Sequence, residues 1–199
     1  THTGNFDISF CRCIPGMLIM TPATTVDLHA LLNTGYQYPG PALVRYPRDN
    51  CEISEHINTD ETIEIGHSQL LRSGQRIALL VFGPFLDIAG ELADQYDCTL
   101  VNMRFVKPLD EQRLLELSQA HSHFICLEDN AIIGGAGSAV GEWIQRQGLN
   151  LHCDINGLGD TFPSQGSRQQ VLEDYQLDQQ HLARKIENLL AAKSVPDRD

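Results

Sequence analysis

The sequence lacks a long apolar run and an excess of basic residues. Its longest apolar run, Ile77 to Phe82, suits one buried strand, whereas a membrane-spanning helix needs about 20 apolar residues. Lys and Arg number 14 against 26 Asp and Glu, which gives a formal net charge of −12. That charge argues against binding to nucleic acid or to an anionic membrane, because both need a basic patch. We expect no membrane segment and no nucleic-acid partner.

The sequence also lacks the patterns of common metal and nucleophile sites. It has six cysteines, and Cys11 and Cys13 are too close together for an ordinary disulfide. No second Cys or His pair follows them at zinc spacing. No H-E-x-x-H zinc motif and no G-x-S-x-G nucleophile elbow occurs. The polar start shows no signal-peptide pattern. We therefore expect reduced thiols, no metal ligands and a cytoplasmic protein.

From residue 76 onward, apolar strand-like segments alternate with amphipathic helical segments. This alternation predicts an α/β fold of three layers, α/β/α, with a mostly parallel sheet. A glycine-rich turn stands between the third strand and the third helix. The predicted strands are 76–82, 98–103, 123–127 and 150–155, and the predicted helices are 84–95, 110–119, 138–147, 167–173 and 178–192.

The first 57 residues are too few for a core of their own. They predict helix 5–13, strand 17–20, helix 25–35 and strand 42–46. The second helix has an apolar face of Val26, Leu28, Leu31 and Leu32. Two further strand candidates, 62–65 and 69–71, lie in a polar connector, and His121 and His123 are predicted on the surface. We place the domain boundary so that one domain spans 1–57 and the other 58–199.

Two polar segments follow the predicted strand 123–127. The glycine-rich stretch 134–138 opens a helix, which is the geometry of an anion site, or else a tight turn that brings the helix close to the sheet. Glu128, Asp129 and Asn130 stand at the end of the strand, where α/β sheets often carry functional groups. They are candidates for metal binding or for capping the turn.

Two residues of the first part are candidates for substrate chemistry. His2 lies in the turn Thr1–Gly4, and Arg45 lies near the end of a predicted strand. An arginine in that position can clamp a phosphate or carboxylate, and a histidine can transfer a proton. From spacing alone, both also fit ordinary surface residues.

Four segments resemble the 1-deoxy-D-xylulose-5-phosphate synthase family. The first is similar to the family's T-H-x-G-x-F-D-[LI]-S-[YF]-x-R-x-I-P stretch. The segments are THTGNFDISFCRCIP at 1–15, LVRYPR at 43–48, VNMRFVKPLD at 101–110 and EDNAIIGGAGS at 128–138. They occur in the family's order with compatible spacing, and together they span nearly the whole chain.

The resemblance implies a transferase that depends on thiamine diphosphate and Mg²⁺. Its substrates are pyruvate and glyceraldehyde 3-phosphate, condensed with loss of CO₂ in a pathway to isoprenoid, thiamine and pyridoxal precursors. It implies that 1–57 ends the pyrimidine-binding domain and that 58–199 is the C-terminal domain. His2 is implied as a catalytic and substrate-binding residue, and Arg45 as a ligand of the aldehyde's phosphate. A homodimer is implied, in the bacterial cytoplasm or in a plastid.

The sequence departs from the family in what it omits. It has neither the family's G-D-G…N metal and diphosphate motif nor the glutamate that activates the aminopyrimidine. We expect a C-terminal piece that is inactive alone, with no residue of its own that binds the cofactor or metal. Three alternatives stay open: the C-terminal part of a transketolase, that of a 2-oxo-acid dehydrogenase β-subunit, and a stand-alone assembly or regulatory module.

Overall fold

The computed structural model describes residues 4–47, 58 and 60–191. Within these residues, the first part of the chain supplies two helices and two strands, and the rest supplies five helices and six strands. In chain order the elements are α1 (Asp7–Cys11), β1 (Leu18–Met20), α2 (Thr25–Gln37), β2 (Ala42–Val44), β3 (Gln69–Arg72), β4 (Arg76–Phe82), α3 (Leu86–Tyr96), β5 (Thr99–Asn102), β6 (Phe105–Lys107), α4 (Glu111–Ala120), β7 (His121–Ala131), α5 (Ala136–Gln147), β8 (His152–Leu158), α6 (Arg168–Asp174) and α7 (Gln179–Ala191).

The larger sheet has five strands in the order β3-β5-β4-β7-β8. Three of its four strand pairings are parallel, and the edge strand β3 runs antiparallel to β5. Apolar side chains pack on both faces of this sheet. One cluster includes Phe82, Trp143 and Val140 from the α5 side, and the other includes Phe85, Leu92 and Ile186 from α3 and α7. The predicted three-layer fold with a mostly parallel sheet is confirmed.

A smaller sheet joins the two parts of the chain. Its order is β2-β1-β6, with β1 parallel to β2 and antiparallel to β6. Strand β6 was not expected from the sequence. The chain turns sharply into it at Arg104, whose φ is +59°. Because β6 belongs to the second part of the chain, it gives β1 a neighbouring strand that the first part does not itself supply. The boundary placed between residues 57 and 58 stays a prediction.

The orientation of α2 differs from the prediction. Val26 and Leu32 are exposed, whereas Leu31 is buried. The buried face also carries a carboxylate, Asp27, which accepts hydrogen bonds from Asn102 Nδ2 at 2.6 Å and Arg104 Nε at 3.0 Å. Polar anchoring to the β5–β6 loop therefore sets the rotation of the helix, and an apolar count does not reveal it.

Two smaller expectations were wrong. Residues 62–65 contain no strand, although 69–72 do. His121 is buried. Thr99 Oγ1 lies 2.7 Å from its Nε2, and the Leu117 carbonyl oxygen lies 3.0 Å from its Nδ1. Both ring nitrogens thus have partners inside the protein, which makes burial of the ring tolerable. No helix in the described part of the chain is long and apolar enough to cross a bilayer.

Candidate functional site

The glycine-rich turn between β7 and α5 surrounds a buried carboxylate. Glu128 is fully buried, and its Oε2 and Oε1 accept the backbone N–H groups of Ala136 at 2.7 Å and Gly137 at 2.9 Å. These are the N–H groups that a helix start leaves without partners. The chain's own carboxylate therefore fills the place that an external anion would take. The capping interpretation of Glu128 is confirmed.

The glycines of this turn are required by close packing. A Cβ at Gly135 would overlap the Glu128 carboxylate and come within 2.5 Å of the Ala131 carbonyl oxygen. A Cβ at Gly137 would overlap Cγ2 of Ile155 on β8. Because α5 approaches the sheet this closely, the tight-turn interpretation of the glycine-rich stretch is confirmed.

Glu128 has an unusual proton affinity. Burial raises its pKa from 4.5 to about 7, against the opposing effects of the two backbone N–H groups and of Arg12 and Arg45. A carboxyl whose pKa is higher in the folded than in the unfolded state binds more protons when folded between those two values. The contribution of Glu128 to the free energy of unfolding therefore falls as pH rises from about 4.5 to about 7.

We expect Glu128→Gln to remove this pH dependence. Relative to that variant, the wild-type chain should lose on the order of 3 kcal/mol of unfolding free energy between pH 4.5 and pH 7. Urea denaturation of both chains across this range measures the difference. The amide adds a constant offset, because its NH₂ faces N–H donors, so the slope is the readout. A pH-independent difference would contradict the assignment.

The same turn receives the first helix. The backbone N–H of Ala131 donates to the carbonyl of Asn5 at 2.7 Å. Ser9 Oγ donates to the Ile133 carbonyl at 2.7 Å and accepts from Asn130 Nδ2 at 2.9 Å. The segment that follows the Thr-His-Thr-Gly stretch is thus hydrogen-bonded along the end of β7.

Two basic side chains secure the far end of α1. Arg12 Nη1 donates to the carbonyls of Gly134 and Gly135 at 2.7 and 3.0 Å, and its Nη2 pairs with Glu142 at 2.6 Å. Lys107 Nζ donates to the carbonyl of Arg12 at 2.8 Å. A cation at the last carbonyls of a helix also complements its dipole. The junction therefore holds α1 at both ends.

Arg45 lies just after β2 and is only 9% exposed. Its Nη1 pairs with Asp129 Oδ2 at 2.7 Å, and its Nε lies 3.7 Å from Asp7 Oδ1. Burial raises the pKa of Asp7, and Arg45 opposes that rise. The backbone N–H of Arg45 donates to the carbonyl of Met20 on β1 at 2.9 Å. The guanidinium is thus fixed at the junction by one carboxylate from each part of the chain.

His2, the other predicted site residue, lies outside the described residues. Its proximity to Arg45 therefore stays a prediction, and so do the substrate roles of both. Sequence reasoning missed the partners of Arg45. Asp129 had a signal, its place at the end of a parallel strand, which was interpreted as capping or metal binding. Asp7 had no signal, because a helix-starting Asp is commonplace.

The described residues do not form a site for thiamine diphosphate or a metal ion. Among them, no group of three or more His, Cys, Asp or Glu side chains is placed to hold a metal. The N-terminus of α5, which the glycine-rich turn opens, is filled by Glu128. One cavity of about 290 Å³ lies beside Thr34 and Ile63, and another of about 120 Å³ beside Asn156 and Lys185. Neither is lined by Arg45.

Comparison with known proteins identifies two family models along the chain. The transketolase C-terminal domain matches residues 66–182, and the transketolase pyrimidine-binding domain matches residues 1–53. Curated relatives include 1-deoxy-D-xylulose-5-phosphate synthases of Haemophilus influenzae and Francisella philomiragia. The first is 46% identical over 96% of this chain and 30% of its own length, and the second 43% identical over 97% and 31%.

A solved structure has a similar fold. It is titled as a split-gene transketolase in an inactive β4 tetramer, and it matches with a TM-score of 0.83. The match covers 94% of this chain and 62% of that one at 24% identity. At this identity the likeness concerns the fold alone. The chain spans about 30% of the length of the curated relatives it matches.

Proposed function

Since the chain belongs to the transketolase family, whose C-terminal domain model matches residues 66–182, we propose that it is part of a 1-deoxy-D-xylulose-5-phosphate synthase. The complete enzyme is a transferase that joins pyruvate to glyceraldehyde 3-phosphate with loss of CO₂. The observation that carries the proposal is the 46% identity to the Haemophilus influenzae synthase over 191 residues. The proposal includes a homodimer in the cytoplasm, as the resemblance implies.

In this proposal the chain serves the aldehyde substrate. Arg45 binds the phosphate, because a guanidinium presents five N–H donors in a plane that matches phosphate oxygens. The pairing with Asp129 uses Nη1 alone at hydrogen-bonding distance. His2, whose role follows from the resemblance, donates a hydrogen bond to the substrate or transfers a proton with it.

We propose that residues other than the described ones bind the cofactor. In the complete enzyme, thiamine diphosphate with Mg²⁺ would supply the carbanion-stabilising chemistry that the reaction needs. The described residues do not fit either group, since Glu128 caps α5 and no three metal-ligating side chains converge there. We infer that the 199 residues alone do not turn over pyruvate.

The proposal is tested with two proteins. One is the 199-residue chain, and the other is a chimera in which this chain replaces the matching C-terminal 30% of the Haemophilus influenzae relative. Each is given thiamine diphosphate, Mg²⁺, pyruvate and D-glyceraldehyde 3-phosphate. We expect CO₂ release and 1-deoxy-D-xylulose 5-phosphate from the chimera and neither from the chain alone.

The parent Haemophilus influenzae protein is the positive control, and circular dichroism establishes that the chimera is folded. Product formation by the 199-residue chain would overturn its inferred inactivity. A folded chimera that binds the cofactor and yet makes no product would overturn the proposed function.

A further inference from the structure

We propose that Asp129 is a positioning residue that aims the Arg45 guanidinium at the phosphate of the aldehyde substrate. The inference rests on the proposed function and adds a role for the C-terminal domain within it. The β7–α5 turn then acts on the substrate through one ion pair across the junction.

The ion pair is the first support. Arg45 and Asp129 are 84 residues apart in the sequence, and their side chains are 9% and 19% exposed. A buried guanidinium needs a partner, since an unpaired buried charge is strongly unfavourable. Because the guanidinium is planar and rigid, a bond at Nη1 also sets the direction of its remaining N–H groups. Asp129 thereby determines the side to which Arg45 can donate.

The second support is the rigidity of the backbone that carries Asp129. The residue before it, Glu128, binds two N–H groups at the start of α5. The residue after it, Asn130, is fully buried and donates to Ser9 on α1. Fixed neighbours on both sides make Asp129 a rigid support, which a precise substrate contact requires.

Asp7 provides a second carboxylate at a greater distance. Its Oδ1 lies 3.7 Å from Arg45 Nε and accepts the backbone N–H of Ile8 at 2.9 Å. Asp7 is the first residue of α1, so its contact with Arg45 comes from the first part of the chain. The shorter contact to Asp129 makes the C-terminal domain the main determinant of the Arg45 geometry.

If Asp129 instead competed with the substrate phosphate, its removal would change the KM in the opposite direction. A carboxylate that merely competed with the substrate phosphate would weaken aldehyde binding, and its removal would lower the KM. If the carboxylate positions Arg45, its removal raises the KM. The sign of the change therefore separates the two roles.

The test measures phosphate preference in the active chimera. We define it as kcat/KM for D-glyceraldehyde 3-phosphate divided by kcat/KM for D-glyceraldehyde. Asp129→Ala should lower this preference roughly tenfold. A misplacement of about 1 Å can cost about a hundredfold, and the expected loss lies within that range. The effect should lie in the KM of the phosphorylated aldehyde, and Asp129→Glu should restore part of it. Glu111→Gln, which breaks the exposed pair between Glu111 and Arg146, is the matched control and should change nothing.

The outcomes separate the inference from the proposed function. A merely structural Asp129 would reduce turnover of both aldehydes equally and leave the preference unchanged, which would overturn the inference. An unchanged or lower KM for the phosphorylated aldehyde would do the same. Loss of preference in Arg45→Ala alone would leave the proposed function standing without this inference. Absence of product from the folded, unsubstituted chimera would remove the function itself.

Discussion

Arg45→Ala in the active chimera should raise the KM for D-glyceraldehyde 3-phosphate roughly a hundredfold. A hydrogen bond to a charged group contributes about 1.5–3 kcal/mol, and the variant also leaves Asp129 and Asp7 without their cation. The KM for pyruvate should stay within about threefold, because pyruvate carries no phosphate. Steady-state kinetics with each substrate varied in turn measures both constants.

Arg45→Lys is the matched variant for this prediction. It keeps the positive charge but loses the planar pair of donors, so we expect an intermediate rise in KM. Thermal unfolding of each variant shows whether the loss of the buried ion pair has unfolded the junction. Equal increases in the KM for pyruvate and for the aldehyde would remove the assignment of Arg45 to the phosphate.

Gly135→Ala should destabilise the 199-residue chain by on the order of 4 kcal/mol. The new Cβ overlaps the Glu128 carboxylate and reaches within 2.5 Å of the Ala131 carbonyl oxygen. Overpacking of this kind costs about 1–3 kcal/mol, and each buried N–H that loses Glu128 adds about 1–3 kcal/mol. Urea denaturation, with the midpoint and slope fitted together, measures the change.

Gly141→Ala on the same helix is the control. No heavy atom lies within 4 Å of a Cβ at Gly141. Alanine there should stabilise the chain by up to about 1 kcal/mol, because it favours the helix more than glycine does. A Gly135→Ala chain within about 0.5 kcal/mol of the wild type would contradict the packing described for the turn.

The larger sheet could be predicted from the sequence because its central strands β4, β5 and β7 are mostly buried on both faces and its helices are amphipathic. Runs such as Ile77 to Phe82 leave little choice of structure. The smaller sheet could not. Strand β6 is three residues long and pairs antiparallel with β1. That pairing joins residues about 85 positions apart, and no local pattern encodes such a contact.

The candidate site could likewise be predicted only in part from the sequence. The residue types at 45 and 128–138 marked where function could lie, and the resemblance gave Arg45 its proposed role. The partner of Arg45 could not be derived, because Asp129 and Asn130 are adjacent in sequence yet face different residues of the first part. The rotation of α2 likewise depends on polar contacts between segments distant in the chain, those of Asp27 with Asn102 and Arg104.

The most direct measurement is the phosphate preference of the double variant Arg45→Ala, Asp129→Ala in the chimera. If Asp129 acts through Arg45, the double variant should show the preference of Arg45→Ala alone, within about threefold, because contacting residues of one network are not additive. Losses that multiply, to roughly a thousandfold by the effects expected of the single variants, would contradict the claim that the C-terminal domain reaches the substrate through this ion pair.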